Sequence, residues 1–194
     1  VVYRHRHFNA QVRMLQKAFD IQPGEVSLPT FPPFALFDPA LGMTTVVPIM
    51  DPTRPAEADP AKLLAAIDRF KVTNVFGSPA LLNTLSRHCV DNKIRIESVM
   101  RVISAGAAVP IRTIRRMQNS LYQDANIHTP YGASEAMPVT SIGSNEILTE
   151  TKPLSEQGFG TCIGRPIGSI DVRIITIRDD SIDHWSENLL VSDG

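Results

Sequence analysis

The sequence predicts an α/β protein: a mainly parallel sheet flanked by helices, continued by a β-rich C-terminal tail. Strand and helix patterns alternate at least three times between Thr44 and Tyr131. Such alternation implies right-handed crossovers that lay helices over a parallel sheet. Beyond Pro138 the rhythm changes to β-branched and alternating runs, which predicts strands paired in part antiparallel. Residues 1–138 are accordingly expected to form an α/β subdomain, and 139–194 its β-rich continuation.

Taken in order, His5 to Asp20 sets Phe8, Val12, Leu15 and Phe19 at helical spacings of three and four, and Ile21-Gln22-Pro23-Gly24 ends the helix. Glu25 to Thr30 reads as a short strand, and Phe31 to Gly42 as a Pro- and Phe-rich loop with one helical turn. The β-branched run from Thr44 to Ile49 predicts a buried strand. A proline-rich connection from Asp51 leads to Asp59 as helix cap and Pro60 at the first helical position. Leu63, Leu64, Ile67 and Phe70 then form one apolar stripe. Thr73 to Phe76 reads as a strand, and Ala80 to Val90 as a helix capped by Ser78. Val99 to Ser104 is the next strand, Pro110 to Leu121 a helix, and Asn126 to Thr129 another strand. In the tail, Val139 to Ile142 and Ile170 to Ile177 read as strands separated by a polar excursion from Ser144 to Phe159.

A chain of 194 residues, 43% hydrophobic and 20% charged with net charge −1, describes an ordinary globular protein. So neutral a balance argues against a nucleic-acid footprint and a polybasic membrane anchor. Cys89 and Cys162 lie far apart and give neither a metal-ligand spacing nor a disulfide framework. With no long apolar run and no signal-peptide pattern, a reducing cytoplasm is the expected compartment. The chain opens at Val1 and closes on Ser192-Asp193-Gly194, and reads as a segment of something longer.

Three strand ends bring small residues to one sheet edge: Gly77-Ser78-Pro79, Ser104-Ala105-Gly106-Ala107-Ala108 and Tyr131-Gly132-Ala133-Ser134-Glu135. Open α/β sheets bind ligands beyond the carboxyl ends of their strands. Glycine and alanine there let a flat ligand approach the backbone, and helix-start amides suit phosphate or carboxylate oxygens. Tight strand-to-helix packing is the plainer use of such residues. Ser134 and Glu135 could equally be a helix cap with a first-turn acid, but Pro138, Val139, Thr140 and Ile142 make a poor helix. A hydroxyl beside a carboxylate instead suits Mg²⁺, which prefers oxygen ligands. Gly132-x-Ser134-x-Ala136 also comes near a hydrolase nucleophile elbow, a motif that needs a helix directly after the serine.

In its own order this succession resembles the adenylate-forming ligases, the acyl- and aryl-CoA synthetase superfamily. Ser104 to Val109 is similar to its Gly-Gly-Ala-Pro-Leu adenine loop, and Tyr131 to Glu135 to its Tyr-Gly-x-Thr-Glu signature. Gly164-Arg165-Pro166 and the following Asp171-Val172-Arg173-Ile174 resemble a later Gly-x-Pro and strand. The look is nearest to fatty acyl-CoA synthetases and olefin-pathway β-lactone synthetases. The resemblance implies part of the large N-terminal domain of such a ligase. ATP and a carboxylic acid, expected to be a fatty acid, would form an acyl-adenylate with loss of pyrophosphate. Coenzyme A would then take the acyl group; in the alternative branch the substrate's own hydroxyl attacks.

Carried over, Tyr131 would stack on the adenine of ATP or AMP, with Gly106, Ala107, Ala108 and Gly132 beside it. Ser134 would hold the α-phosphate and Glu135 the Mg²⁺, both as catalytic residues, while Gly77, Ser78 and Gly132 would shape the acyl pocket. Ala35 stands about where many relatives carry histidine. The glycine-rich phosphate loop and the C-terminal catalytic lysine of the superfamily are not among these residues, so the 194-residue chain alone is expected not to turn over. A nucleotide-binding or interaction module without chemistry is the rival reading.

Overall fold

The computed structural model describes residues 2–133 and 136–191. Its centre is a five-stranded parallel sheet of β1 (Val26–Pro29), β2 (Thr44–Thr45), β3 (Asn74–Phe76), β4 (Arg101–Ile103) and β5 (Asn126–His128). The spatial order is β2-β1-β3-β4-β5, every neighbouring pair parallel. The chain thus reverses its direction of winding between β1 and β3, and such a switch point opens a crevice beyond the strand ends.

Helices cover both faces, as the alternation predicts. α1 (His5–Phe19) precedes the sheet; two single turns, α2 (Pro32–Ala35) and α3 (Phe37–Ala40), lie between β1 and β2. Leu15, Phe19, Ile21 and Leu41 make the core on that face. α4 (Pro60–Phe70), α5 (Pro79–Asp91) and α6 (Ile111–Ser120) build the larger core on the other, around Leu63, Leu82, Leu85, Ile114 and Met117. Local signals set the helix starts. Asp59 accepts a hydrogen bond from Ala61 N at 2.9 Å with Pro60 at the first position, and Ser78 accepts from Leu81 N at 3.3 Å. α1 closes where Asp20 takes the left-handed conformation, φ 49°.

At the amino end of the sheet, Glu25, Asn74 and Arg101 tie three strands together. Arg101 Nη1 donates to Glu25 Oε2 at 2.6 Å, Asn74 bonds to both, and Arg101 Nη2 reaches Asp20 O at 3.0 Å. Burial pushes the Glu25 carboxyl up, but hydrogen bonds from Arg101, Asn74 and the Gln22 amide, together with the Arg101 charge, hold it below the usual range.

After β5 the chain forms an antiparallel sheet of β6 (Tyr131–Ala133), β7 (Ala136–Ser141) and β8 (Arg165–Pro166). Three expectations need correction. The strand at Thr44 is two residues long, and Val47 and Ile49 are exposed rather than buried, because the run leaves the sheet edge after Thr45. The supposed polar excursion is an irregular helix: α7 (Ser144–Glu146), a π-helical turn Ile147–Thr151 and α8 (Lys152–Glu156). Ile147 anchors it in the main core. Ile170 to Ile177 forms one antiparallel bridge, Ile175 to Leu190, instead of a strand, and Ile174 and Ile177 point to solvent. Without a covering layer on one face, alternation gives an extended segment and no ladder.

Candidate active site

Two cavities lie beyond the carboxyl ends of the parallel strands and share a wall made by Gly106, Pro130 and Gly132. The larger, about 610 Å³, is bounded by the loop after β4 (Gly106, Ala107, Ala108), by Tyr131 and Gly132 of β6, and across from them by Ile147, Thr151 and Ser155. The smaller, about 400 Å³, sits at the switch point itself, where Thr30 and Phe31 follow β1, Phe76 ends β3 and Ser78 comes just after it. Its remaining walls are Phe34, Pro52, Pro55, Ala105, Ala133 and Met137. Aromatic and proline side chains give it an apolar interior, the usual lining of a small-molecule site.

Backbone geometry explains the glycines of the shared wall. Gly106 has φ +94°, and a Cβ there would point into open space, so the loop presents bare backbone to the cavity. Gly132 is held by its own hairpin: a Cβ would lie 2.5 Å from Ala136 O and 3.2 Å from Met137 Cα. Real Cβ atoms do not approach so closely, which makes glycine obligatory where β6 folds back on β7. Tyr131 pairs with Thr140 across that hairpin, leaving the phenol half exposed over the larger cavity. β5 is pinned behind it: Ser144 Oγ accepts from Ile127 N at 3.1 Å and lies 2.7 Å from Gln118 Oε1 and 2.8 Å from Asn126 Oδ1.

The residues expected at the site fall as follows. Gly106, Ala107, Ala108, Tyr131 and Gly132 line the larger cavity; Ser78 and Gly132 line the smaller one. Gly77 is buried against α5, where an added Cβ would meet Leu81 Cδ2 at 2.9 Å. Ser134 and Glu135 lie outside the described residues. Among the described residues no cluster of three or more His, Cys, Asp or Glu could hold a metal ion, and no helix is long and apolar enough to cross a membrane. Among the described residues Ser104 Oγ, buried directly before the Ala105-Gly106 turn, has no hydrogen-bond partner.

Sequence reasoning missed two parts of the walls. Ile147, Thr151 and Ser155 recur every fourth residue, a helical face obscured by the polar neighbours and by Pro153. Phe31 and Phe34 lie three apart, one helical turn hidden in a segment read as loop.

A parallel sheet flanked by helices, with a small antiparallel sheet, is the fold of the N-terminal domain of adenylate-forming ligases. The comparisons with known proteins agree. The chain belongs to the AMP-binding enzyme family, whose model matches residues 1–183. It is 52% identical to an olefin beta-lactone synthetase of Xanthomonas campestris over 186 residues, covering 96% of this chain and 33% of the relative. An olefin beta-lactone synthetase of Stenotrophomonas maltophilia is 49% identical, covering 100% and 34%. A substituted-propanoyl:CoA ligase of Rhodococcus jostii is 31% identical over 147 residues, covering 73% and 26%. The chain thus spans about a third of the length of the two synthetases. Among solved structures, an amide bond synthetase from Marinactinospora thermotolerans superposes with a TM-score of 0.69 at 20% identity, covering 93% of this chain and 35% of that one, a likeness of fold.

Proposed function

We propose that this chain supplies the adenylate rim and acyl cavity of an enzyme that activates a 3-hydroxy carboxylic acid with ATP and closes it to a β-lactone. The observation that carries the reading is the pair of cavities meeting at Gly106, Pro130 and Gly132. An acyl-adenylate has two halves joined at one mixed anhydride, and this rim offers a cavity on either side of such a junction: the larger is lined in part by Thr129, Tyr131, Thr151 and Ser155, the smaller largely by Phe31, Phe34, Phe76 and prolines. In the first step a carboxylate oxygen attacks the α-phosphorus, the bond to the β-phosphate breaks, and pyrophosphate leaves. In the second the substrate hydroxyl attacks the acyl carbon, the bond from that carbon to the phosphate oxygen breaks, AMP leaves, and the hydroxyl proton is released to solvent.

Tyr131 stacks on the purine, and the bare backbone at Gly106 lets the ring lie close. The apolar lining of the second cavity excludes water from the anhydride, which would otherwise hydrolyse. Ser134 and Glu135 remain the candidates for phosphate and Mg²⁺ contacts on sequence grounds; bound magnesium would neutralise charge on the departing pyrophosphate.

The acceptor distinguishes two readings. The relatives near 50% identity are β-lactone synthetases, which supports the intramolecular hydroxyl. Transfer to coenzyme A is the second reading, supported by the more distant CoA ligase. Pyrophosphate release by the intact protein, with a 3-hydroxy acid, ATP and Mg²⁺, separates them. Release that is independent of coenzyme A, with a lactone product, fits the first; strict dependence on coenzyme A fits the second. No release with any carboxylic acid would refute both.

A further inference from the structure

The apolar cavity ends on a pair of stacked rings. Phe34 of α2 and Phe76, the last residue of β3, lie with centroids 3.7 Å apart and planes at 18°. Both line the 400 Å³ cavity, and both also line a second space of about 50 Å³ behind it. That inner space is walled by Leu15, Ile21, Leu41 and Met43, the core between α1, α3 and the sheet, with Asp38 at its edge. The ring pair stands between two apolar volumes.

The two rings are held differently. Phe76 is paired on both sides, to Pro29 and to Ile103, and its carbonyl accepts from Thr30 N and Thr30 Oγ1, each at 2.9 Å. Phe34 rides on a four-residue turn whose capping residue makes no side-chain hydrogen bond. Its remaining aromatic neighbours, Phe31 and Phe37, are 5.9 and 6.2 Å away. The strand therefore fixes one ring, while the other is placed mainly by what it packs against.

We propose that the Phe34–Phe76 stack is the partition that sets how long an acyl chain the enzyme accepts, with Phe34 the side chain whose size decides it. This inference rests on reading the 400 Å³ cavity as the acyl site. With the Phe34 ring in place, a chain threaded from the Gly132 rim stops against it. Without the ring, the chain end reaches Leu15, Ile21 and Leu41, surfaces as apolar as itself. Asp38 makes the next boundary: its buried carboxyl accepts from Thr45 Oγ1 at 2.9 Å, and a methyl terminus gains nothing by displacing that bond.

The test measures pyrophosphate release by the intact protein across saturated 3-hydroxy acids from hexanoate to stearate length. A methylene admitted or refused by an apolar pocket changes kcat/KM by about tenfold or more. Phe34→Ala is expected to move the optimum to longer acids, raising kcat/KM for the next longer acid, relative to the wild-type optimum, by about tenfold. Phe34→Trp is expected to move it to shorter acids, and Phe34→Leu to lengthen it less than alanine does. Urea unfolding shows which variants are folded, and shifts of the optimum in opposite directions for alanine and tryptophan are a result that general damage to the fold would not give. Should Phe34→Ala fail to fold, the opposed shifts of the leucine and tryptophan variants decide the matter. An unchanged length profile in the folded variants overturns the partition and leaves acid activation standing. Wild-type protein that releases no pyrophosphate with any acid overturns the acyl reading and the partition with it.

Discussion

His128 gives a pH dependence whose size follows from the structure. It ends β5, two residues before the rim at Pro130, and its ring lies 5.0 Å from Phe19 of α1. Burial, reinforced by the Arg101 charge, lowers its pKa from 6.5 to about 4, so the folded protein holds the imidazole neutral. The sign follows from linkage. Above the ordinary histidine pKa both folded and unfolded chains carry a neutral ring and His128 costs nothing. As the pH falls below that value only the unfolded chain takes up the proton, and stability drops until the folded value is reached. One pKa unit corresponds to about 1.4 kcal/mol, so the loss at about pH 4.5 comes to about 2–3 kcal/mol. Phenylalanine keeps a ring against Phe19 and cannot titrate. Urea unfolding of wild type and His128→Phe at neutral pH and at about pH 4.5 isolates this contribution, since other titrating groups are common to both proteins. Wild type should lose about 2–3 kcal/mol more than the variant between the two conditions. Equal acid losses in the two proteins would mean that His128 is not held neutral by its surroundings.

Two further outcomes concern the rim and its support. Ser144→Ala removes the acceptor for the buried Ile127 amide, and an unpaired buried donor costs about 1–3 kcal/mol, to be read from the urea midpoint at unchanged slope. Tyr131→Ala should weaken AMP binding to the intact protein by about tenfold or more in titration calorimetry, since stacking of a base on an aromatic ring contributes about 1–3 kcal/mol. Tyr131→Phe should restore it, because the ring face and not the hydroxyl makes the contact.

Much of the fold was legible because its causes are local. Asp59-Pro60 and Ser78-Pro79 start their helices with the next few residues, and the apolar spacing of α1, α4 and α5 points each face at a core wherever that core lies. The misread segments are those where a neighbour decides. Val46 to Ile49 has strand composition, but nothing in those residues says that the sheet ends at Thr45. Ile170 to Ile177 alternates without a partner ladder, and the helix from Ser144 depends on hydrogen bonds with Asn126 and Ile127 that local propensity does not encode.

The same division holds for the site. By itself the sequence determined the order of motifs, the small residues at the strand ends and the resemblance they carry, because those depend on residue type and spacing. Only the tertiary structure decided that Gly106, Pro130 and Gly132 form a common wall, or that Phe34 meets Phe76 across the switch point. Cavities are spaces between elements, and their shape depends on crossover geometry and packing, which no single stretch of chain contains.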